Sequence, residues 1–209
     1  MTSPSPTDAR ASTYHHGDLR ESLLSAAEAL VEAGGVPALT LRAVARAAGV
    51  SHAAPAHHFG DLTGLLSELA AAGFLRLAAT FDAAMEAAGE SPEARLTAMG
   101  KAYVGFARGQ PGLFALMFRS ERLNSEHPAL RAATVVARDG LRSAAGASAG
   151  TGPAGPMQAV ARFAGLWSLV HGYAVLLIEN RLRGLLDALP PGEDSDTLLD
   201  AMLDLTRIK

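Results

Sequence analysis

Five of the seven histidines, His15, His16, His52, His57 and His58, fall within the first sixty of 209 residues. Histidine can ligate a metal, act as acid and base, or carry partial positive charge near neutral pH. The chain has no cysteine, which removes thiolate ligands, a thiolate nucleophile and disulfides, and no acid converges with the histidines at metal-ligand spacing. His171 with Glu179 or Tyr173 is the nearest thing to a catalytic pair, and no phosphate loop, dinucleotide fingerprint or second acid accompanies it. No catalytic residue, metal or cofactor is therefore expected. Partial positive charge suited to a polyanion is one use that remains open for the histidines, and an ordinary solvated or packed position is the other. Residues 40–59 read TLRAVARAAGVSHAAPAHHF, and this segment has the side chains for the first. Thr40 and Ser51 offer hydroxyls or helix-terminal amides to phosphates. Arg42 and Arg46 can reach the backbone, Ala53 and Ala54 can touch thymine methyls, and His57 can reach a base edge. His52, His57 and His58 are expected to face the nucleic acid, in which case affinity rises as pH falls from about 7.5 toward 6, because an ordinary imidazole titrates near 6.5. The alternative is that one of them packs inward beside Phe59 and the others are solvated.

The elements that must position these residues are helices. Hydrophobic residues make up 49% of the 21.5 kDa chain and aromatics 5%, with a formal charge of -3, so a core of Ala, Leu and Val is available and general disorder is excluded. Apolar spacing is helical nearly everywhere, and the fold class expected is all-α. Residues 1–13 read as a disordered tail. Helices are predicted over 18–33, 41–48 (capped by Thr40) and 52–58 (capped by Ser51, with Pro55 in its first turn). Gly49 supplies the left-handed residue between the last two, which together form a helix-turn-helix candidate or an ordinary helical hairpin. Further helices are predicted over 62–88, 92–109, 111–119, 128–145, 157–183 and 195–206, with a flexible loop at 146–156 and a turn at 189–194. The longest uncharged apolar run, Phe163 to Ile178, is short of the ~20 residues of a membrane span. With no signal-like N-terminal stretch, a cytoplasmic protein without a membrane partner is expected.

The helix over 157–183 is apolar on two sides. Val160, Phe163, Trp167, Val170, Ala174 and Ile178 form one; Leu166, Leu169, Tyr173, Leu176 and Leu177 form the other. A small body has one core, so the second face, with Leu198 and Met202 of the last helix, is expected to meet a second copy of the chain in a homodimer. Met99, Tyr103, Phe106, Phe114, Met117 and Phe118 cluster opposite Trp167 and His171. They either line a pocket for an apolar or aromatic small molecule, with His171, Tyr103 or Asn180 as the polar contact, or fill the core. Gly73, Gly100, Gly105, Gly165 and Gly172 inside helices suggest close crossings or room for a ligand.

The residues YHHGDLRESLLSAA at 14–27, LRAVARAAGVS at 41–51, HHF at 57–59 and the Leu65-Leu66 pair resemble the tetracycline-repressor-type (TetR-like) regulators. The body, through Pro111-Gly112-Leu113-Phe114, Leu116-Met117-Phe118, Trp167 and His171-Gly172, resembles a subgroup marked by a Trp-His-Gly signature. The resemblance implies a helix-turn-helix DNA-binding domain at 14–61 and a helical ligand-binding and dimerisation domain at 62–209. It further implies a homodimer that reads a palindromic operator through the helix at 52–58, acts as a repressor and is released by a small-molecule effector. Two positions depart from the family pattern: Ala56 stands where a Tyr is common and Leu62 where a Lys is common, both phosphate contacts by resemblance. Residues 1–66 hold four arginines against six carboxylates, a balance of -2 that lacks the usual basic footprint. A ligand-binding or protein-binding dimer with weakened DNA binding is the alternative this motivates.

Overall fold

The computed structural model describes residues 15–148 and 156–205. The predicted tail at 1–13 and most of the loop at 146–156 lie outside the described residues. Among those described there are ten α-helices and no strand: α1 (His15–Gly34), α2 (Leu41–Ala47), α3 (Ala54–Phe59), α4 (Leu62–Ala87), α5 (Pro92–Gly109), α6 (Pro111–Met117), α7 (Pro128–Ser148), α8 (Pro156–Ile178), α9 (Arg183–Leu186) and α10 (Ser195–Leu205). Short 3-10 turns follow α1 and α6.

The first three helices follow from their sequence. Leu23, Ala27 and Val31, four residues apart, bury one stripe of α1 completely. Thr40 caps α2, its Oγ1 accepting from the Ala43 N–H at 3.0 Å. Gly49 takes a φ of 68°, and the Val50 N–H then reaches back to the Ala45 carbonyl at 3.0 Å, a turn closed in the Schellman manner. One expectation needs correction: Ser51 does not cap α3 through its side chain, and the helix begins two residues later than predicted, at Ala54. Pro55 is the reason. Started at His52, the helix would put Pro55 fourth and lose a bond; started at Ala54, it puts Pro55 second, where no N–H bond is needed. Pro55 and Phe59 are the buried residues of α3.

α4 is the shared spine, packing against α1, α3, α5, α6 and α7. Asp61 caps it by accepting from the Gly64 N–H at 2.8 Å, and its buried stripe runs from Leu65 and Leu66 to Leu77 and Phe81. Gly73 lets α6 cross closely, since a Cβ there would lie 2.6 Å from Met117 Sδ. Gly100 does the same for α10, with Leu203 Cδ1 at 3.0 Å. Gly105, Gly165 and Gly172 meet nothing within 4 Å among the described residues, so no crossing of described elements accounts for them.

A joint between α1 and α6 was not foreseen. Glu32, in the last turn of α1, accepts from the Gly112 and Leu113 N–H groups at 3.0 and 2.8 Å, so it caps α6 from 80 residues away in sequence. Beside it, Arg76 of α4 holds Glu28 through two 2.6 Å bonds and the Gln110 Oε1 at 2.9 Å. The pairing with Glu28 pushes the Arg76 guanidinium further above its ordinary range.

Two helical stretches, Leu62–Ala87 and Val160–Ile178, are long and apolar enough to cross a membrane by length and composition. The expectation that the second falls short is thus corrected, because the helix extends the apolar run at its N-terminal side. They differ in burial: 56% of the α4 window is inside the protomer but only 22% of the α8 window. The inward stripe of α8 is Leu166, Val170, Tyr173 and Ala174.

Candidate DNA-reading surface and body pocket

Because Pro55 and Phe59 take the inward face of α3, its other residues are turned out. His52, Ala53, Ala56 and His57 are exposed, Ala54 is half-buried, and Ser51 and Thr40 are exposed at the adjoining helix starts. Arg42 and Arg46, four apart on α2, are exposed as well. His58 differs: it is half-buried, its ring 6.2 Å from Phe59 and 5.7 Å edge-on to His57. It is the histidine that packs beside Phe59, as the alternative reading supposed, while His52 and His57 remain outward. The side chains of His15 and His16 lie outside what is described.

The charge balance changes once the carboxylates are placed. Glu28 and Glu32 are engaged by α4 and α6, and Asp61 caps α4. Arg20 also turns away from the outer surface, paired with Glu68 and set over the Phe59 ring at 5.3 Å. The formal charge of -2 therefore overstates the acidity of the α2–α3 surface, where the exposed charged residues are Arg42 and Arg46.

In the body a cavity of about 270 Å³ opens between α4, α5, α7 and α8, just under the usual range for ligand sites. Phe74, Leu77, Phe81, Tyr103, Phe118, Phe163, Trp167, Leu141, Ala137, Thr134 and Arg138 line it. Three of the seven predicted ligand residues, Tyr103, Phe118 and Trp167, are in the wall. Phe106, Phe114 and Met117 are buried core residues that do not reach the cavity, and neither do Met99 and His171. Asn180 is far from this role: exposed at the end of α8 with a φ of 57°, it turns the chain so that the Arg181 N–H bonds to the Leu176 carbonyl. The wall residues from α4 and α7 were missed, since helical periodicity marks them only as buried.

His171 instead stands behind the wall. Its Nδ1 shares a 2.8 Å hydrogen bond with the Tyr103 hydroxyl, and its ring lies 4.6 Å from Phe118 and 5.6 Å from Phe114. Burial pushes the imidazole below its ordinary value and so favours its neutral form. Burial likewise pushes the Tyr103 phenol up, offset in part by a hydrogen bond from Trp167. Trp167 and His171, one turn apart on α8, thus clamp Tyr103 of α5. His171 Nδ1 is engaged by Tyr103, while Glu179 sits by Arg181 at 3.8 Å and the Tyr173 hydroxyl donates to the Ser195 carbonyl.

Of the residues expected at a dimer interface, Leu176 is 44% exposed, and Leu169, Leu177, Leu198 and Met202 are half-buried. Leu166 and Tyr173 are not on that open face. They belong to the inward stripe of α8, and the Tyr173 hydroxyl donates to the Ser195 carbonyl at 2.5 Å.

Comparisons with known proteins agree with this architecture. Residues 23–69 match the family model described as bacterial regulatory proteins, tetR family, and residues 96–206 match one described as tetracyclin repressor-like, C-terminal domain. A protein of unknown function from Rhodococcus sp. RHA1 is 36% identical, with 93% of this chain and 96% of that one covered and a TM-score of 0.76. A tetR-family regulatory protein from Rhodococcus RHA1 shares the fold at 18% identity and a TM-score of 0.65, over 90% of this chain and 94% of that one. The tetR-family regulator PfmR from Thermus thermophilus does so at 20% identity and 0.56, over 88% and 96%. No curated protein matches the chain. The matches establish the family and leave the Trp-His-Gly subgroup outside what they show. The chain belongs to the tetR family of bacterial regulatory proteins, a membership that makes it a transcriptional regulator and implies DNA binding and dimerisation.

Proposed function

We infer that a homodimer of this chain acts as a repressor, reading a palindromic operator through α3 and leaving it when a small apolar or aromatic effector enters the body cavity. The observation that carries this reading is the placement of charge and exposure on α2 and α3. His52, Ala53 and His57 face outward with Arg42, Arg46, Thr40 and Ser51 around them, while three of the six carboxylates that made the segment look acidic, Glu28, Glu32 and Asp61, are engaged elsewhere. In this reading α3 enters the major groove, with Ala54 and His58 at its inner edge. The division falls at Asp61, with residues 14–61 reading DNA and 62–209 binding effector and partner. The open face of α8, with Leu169, Leu176 and Leu177, joins Leu198 and Met202 of α10 in a two-fold helix-packed interface. Gly165 and Gly172, which meet nothing among the described residues, let the partner's helix approach. A protein so assembled works in the cytoplasm, and its apolar α4 and α8 serve as core and interface rather than as membrane spans.

Effector coupling follows from the connections of α6. Phe118, just beyond its end, lines the cavity, and its first turn is tied to α1 through Glu32. An effector that fits one arrangement of these helices better than another shifts the two α3 helices between DNA-competent and incompetent spacings.

Selection from a random double-stranded DNA library tests the reading, run at low and moderate salt and at pH 6.5 and 7.5. Enrichment of a palindrome with half-sites about one helical turn or more apart is expected. A folded dimer that enriches nothing, with or without added cell metabolites, overturns it in favour of a ligand-binding dimer without DNA specificity.

A further inference from the structure

We propose that the body cavity takes an amphipathic monocarboxylate, its apolar portion among the aromatic rings and its carboxylate against Arg138 at the solvent edge. The inference rests on the effector reading above and specifies the ligand class. The cavity wall is almost wholly apolar, with Phe74, Phe81, Phe118 and Phe163 among its rings, so it selects for an apolar body. Its neutral polar groups already have partners within the protein. The Tyr103 hydroxyl shares a 2.8 Å hydrogen bond with His171 Nδ1. Thr134 Oγ1 donates to the Leu130 carbonyl at 2.9 Å. None of them carries a charge to offer a ligand.

Arg138 is different. It lines the cavity, yet its side chain is 55% exposed, so the aliphatic stem forms wall while the guanidinium reaches the water beyond. Among the described residues it makes no hydrogen bond; its one ion pair, with Asp139, is 3.7 Å long, beyond hydrogen-bond range. Asp139 has a second cation, Arg142, at 4.0 Å, and can turn to it when a ligand takes Arg138. A five-donor planar cation at the edge of an apolar cavity whose other polar groups are uncharged matches a carboxylate, which accepts two parallel N–H bonds. A neutral alcohol or amine of the same shape finds no comparable partner. The volume of about 270 Å³ suits a single ring with a short chain.

The test compares 4-phenylbutyrate with its isosteric neutral amide, on the full-length dimer at pH 7.5. Binding is read by calorimetry and by the emission of Trp167, the chain's single tryptophan and part of the wall. The acid is expected to bind about 5- to 10-fold more tightly than the amide, as for a bidentate pair at a partly solvated site. In Arg138→Gln that preference falls below about twofold while the amide's affinity hardly moves. If acid and amide bind alike to the unaltered protein, or Arg138→Gln keeps the preference, the carboxylate assignment is overturned and the pocket stands. If neither binds or alters Trp167 emission at millimolar concentration, the effector site itself is overturned.

Discussion

Replacing Gly112 by Ala measures how rigidly α1 and α6 are joined. A Cβ at this position would lie 2.4 Å from the Val31 carbonyl oxygen, 2.8 Å from its carbon and 3.0 Å from Glu32 Cα. All three are backbone atoms in the last turns of α1, so no side chain can swing aside. The first turn of α6 must retreat by roughly 1 Å, which also stretches the 3.0 and 2.8 Å bonds from Glu32 to the Gly112 and Leu113 N–H groups past useful length. Overpacking of this kind costs about 1–3 kcal/mol, and the lost cap about 1 kcal/mol more. The sum is roughly 2–4 kcal/mol, or about 5–15 °C in melting temperature for a chain of this size. Gly105→Ala is the control. It sits inside α5 with nothing within 4 Å, so Ala should be neutral or stabilise by up to about 1 kcal/mol through helix propensity. Thermal unfolding followed by circular dichroism decides, at one fixed protein concentration because a dimer's midpoint depends on it. If Gly112→Ala melts within about 2 °C of the parent and of Gly105→Ala, α6 does not press on α1 and the joint described here is wrong.

Three further outcomes are expected. His171 is held below its ordinary pKa by burial, so its contribution to stability is fully present above the unfolded value of about 6.5 and is lost as pH falls below it; thermal midpoints between pH 7.5 and 5 should therefore fall less steeply in His171→Gln than in the parent, and parallel profiles would contradict the assignment. Leu176 is 44% exposed in the protomer, so Leu176→Glu should leave the helical content intact while shifting the species seen in analytical ultracentrifugation from dimer to monomer; a dimer of unchanged strength would move the interface elsewhere. Arg42→Gln should lower operator affinity uniformly across sequences and reduce the logarithmic salt slope by about 1, and an unchanged slope would remove Arg42 from the phosphate contacts.

The fold was legible where local chemistry decides it. Helical periodicity gave α4 and α5 within a residue at each end, and Thr40 and Gly49 marked the start and finish of α2 because a cap and a left-handed turn are properties of single residues. The start of α3 was misjudged because two local signals compete there: Ser51 resembles a cap, but Pro55 fixes which residue can be second in the helix. The cavity was legible only in part. Phe114 and Phe118 have the same residue type and are four apart, yet the first is core and the second is wall, because Phe114 packs on Tyr103 of α5 and His171 of α8 while Phe118 reaches Phe74 of α4. Glu28 and Glu32 were the least readable. In sequence they are acids that only add negative charge to their helix, and their partners lie 48 and 80 residues away.

The way α6 is held has a consequence for how such a regulator can change over evolutionary time. Its fastening to α1 uses two main-chain N–H groups, at Gly112 and Leu113, and so depends little on which side chains the helix carries, apart from the small residue needed at 112. The cavity is met at the opposite end, by Phe118, and across it by residues of α4, α7 and α8. Substitutions that reshape the cavity for a new molecule can therefore accumulate at that end without loosening the fastening. Under the proposed effector reading, inheritance of the coupling and divergence of the ligand are separable within α6 and the residue that ends it.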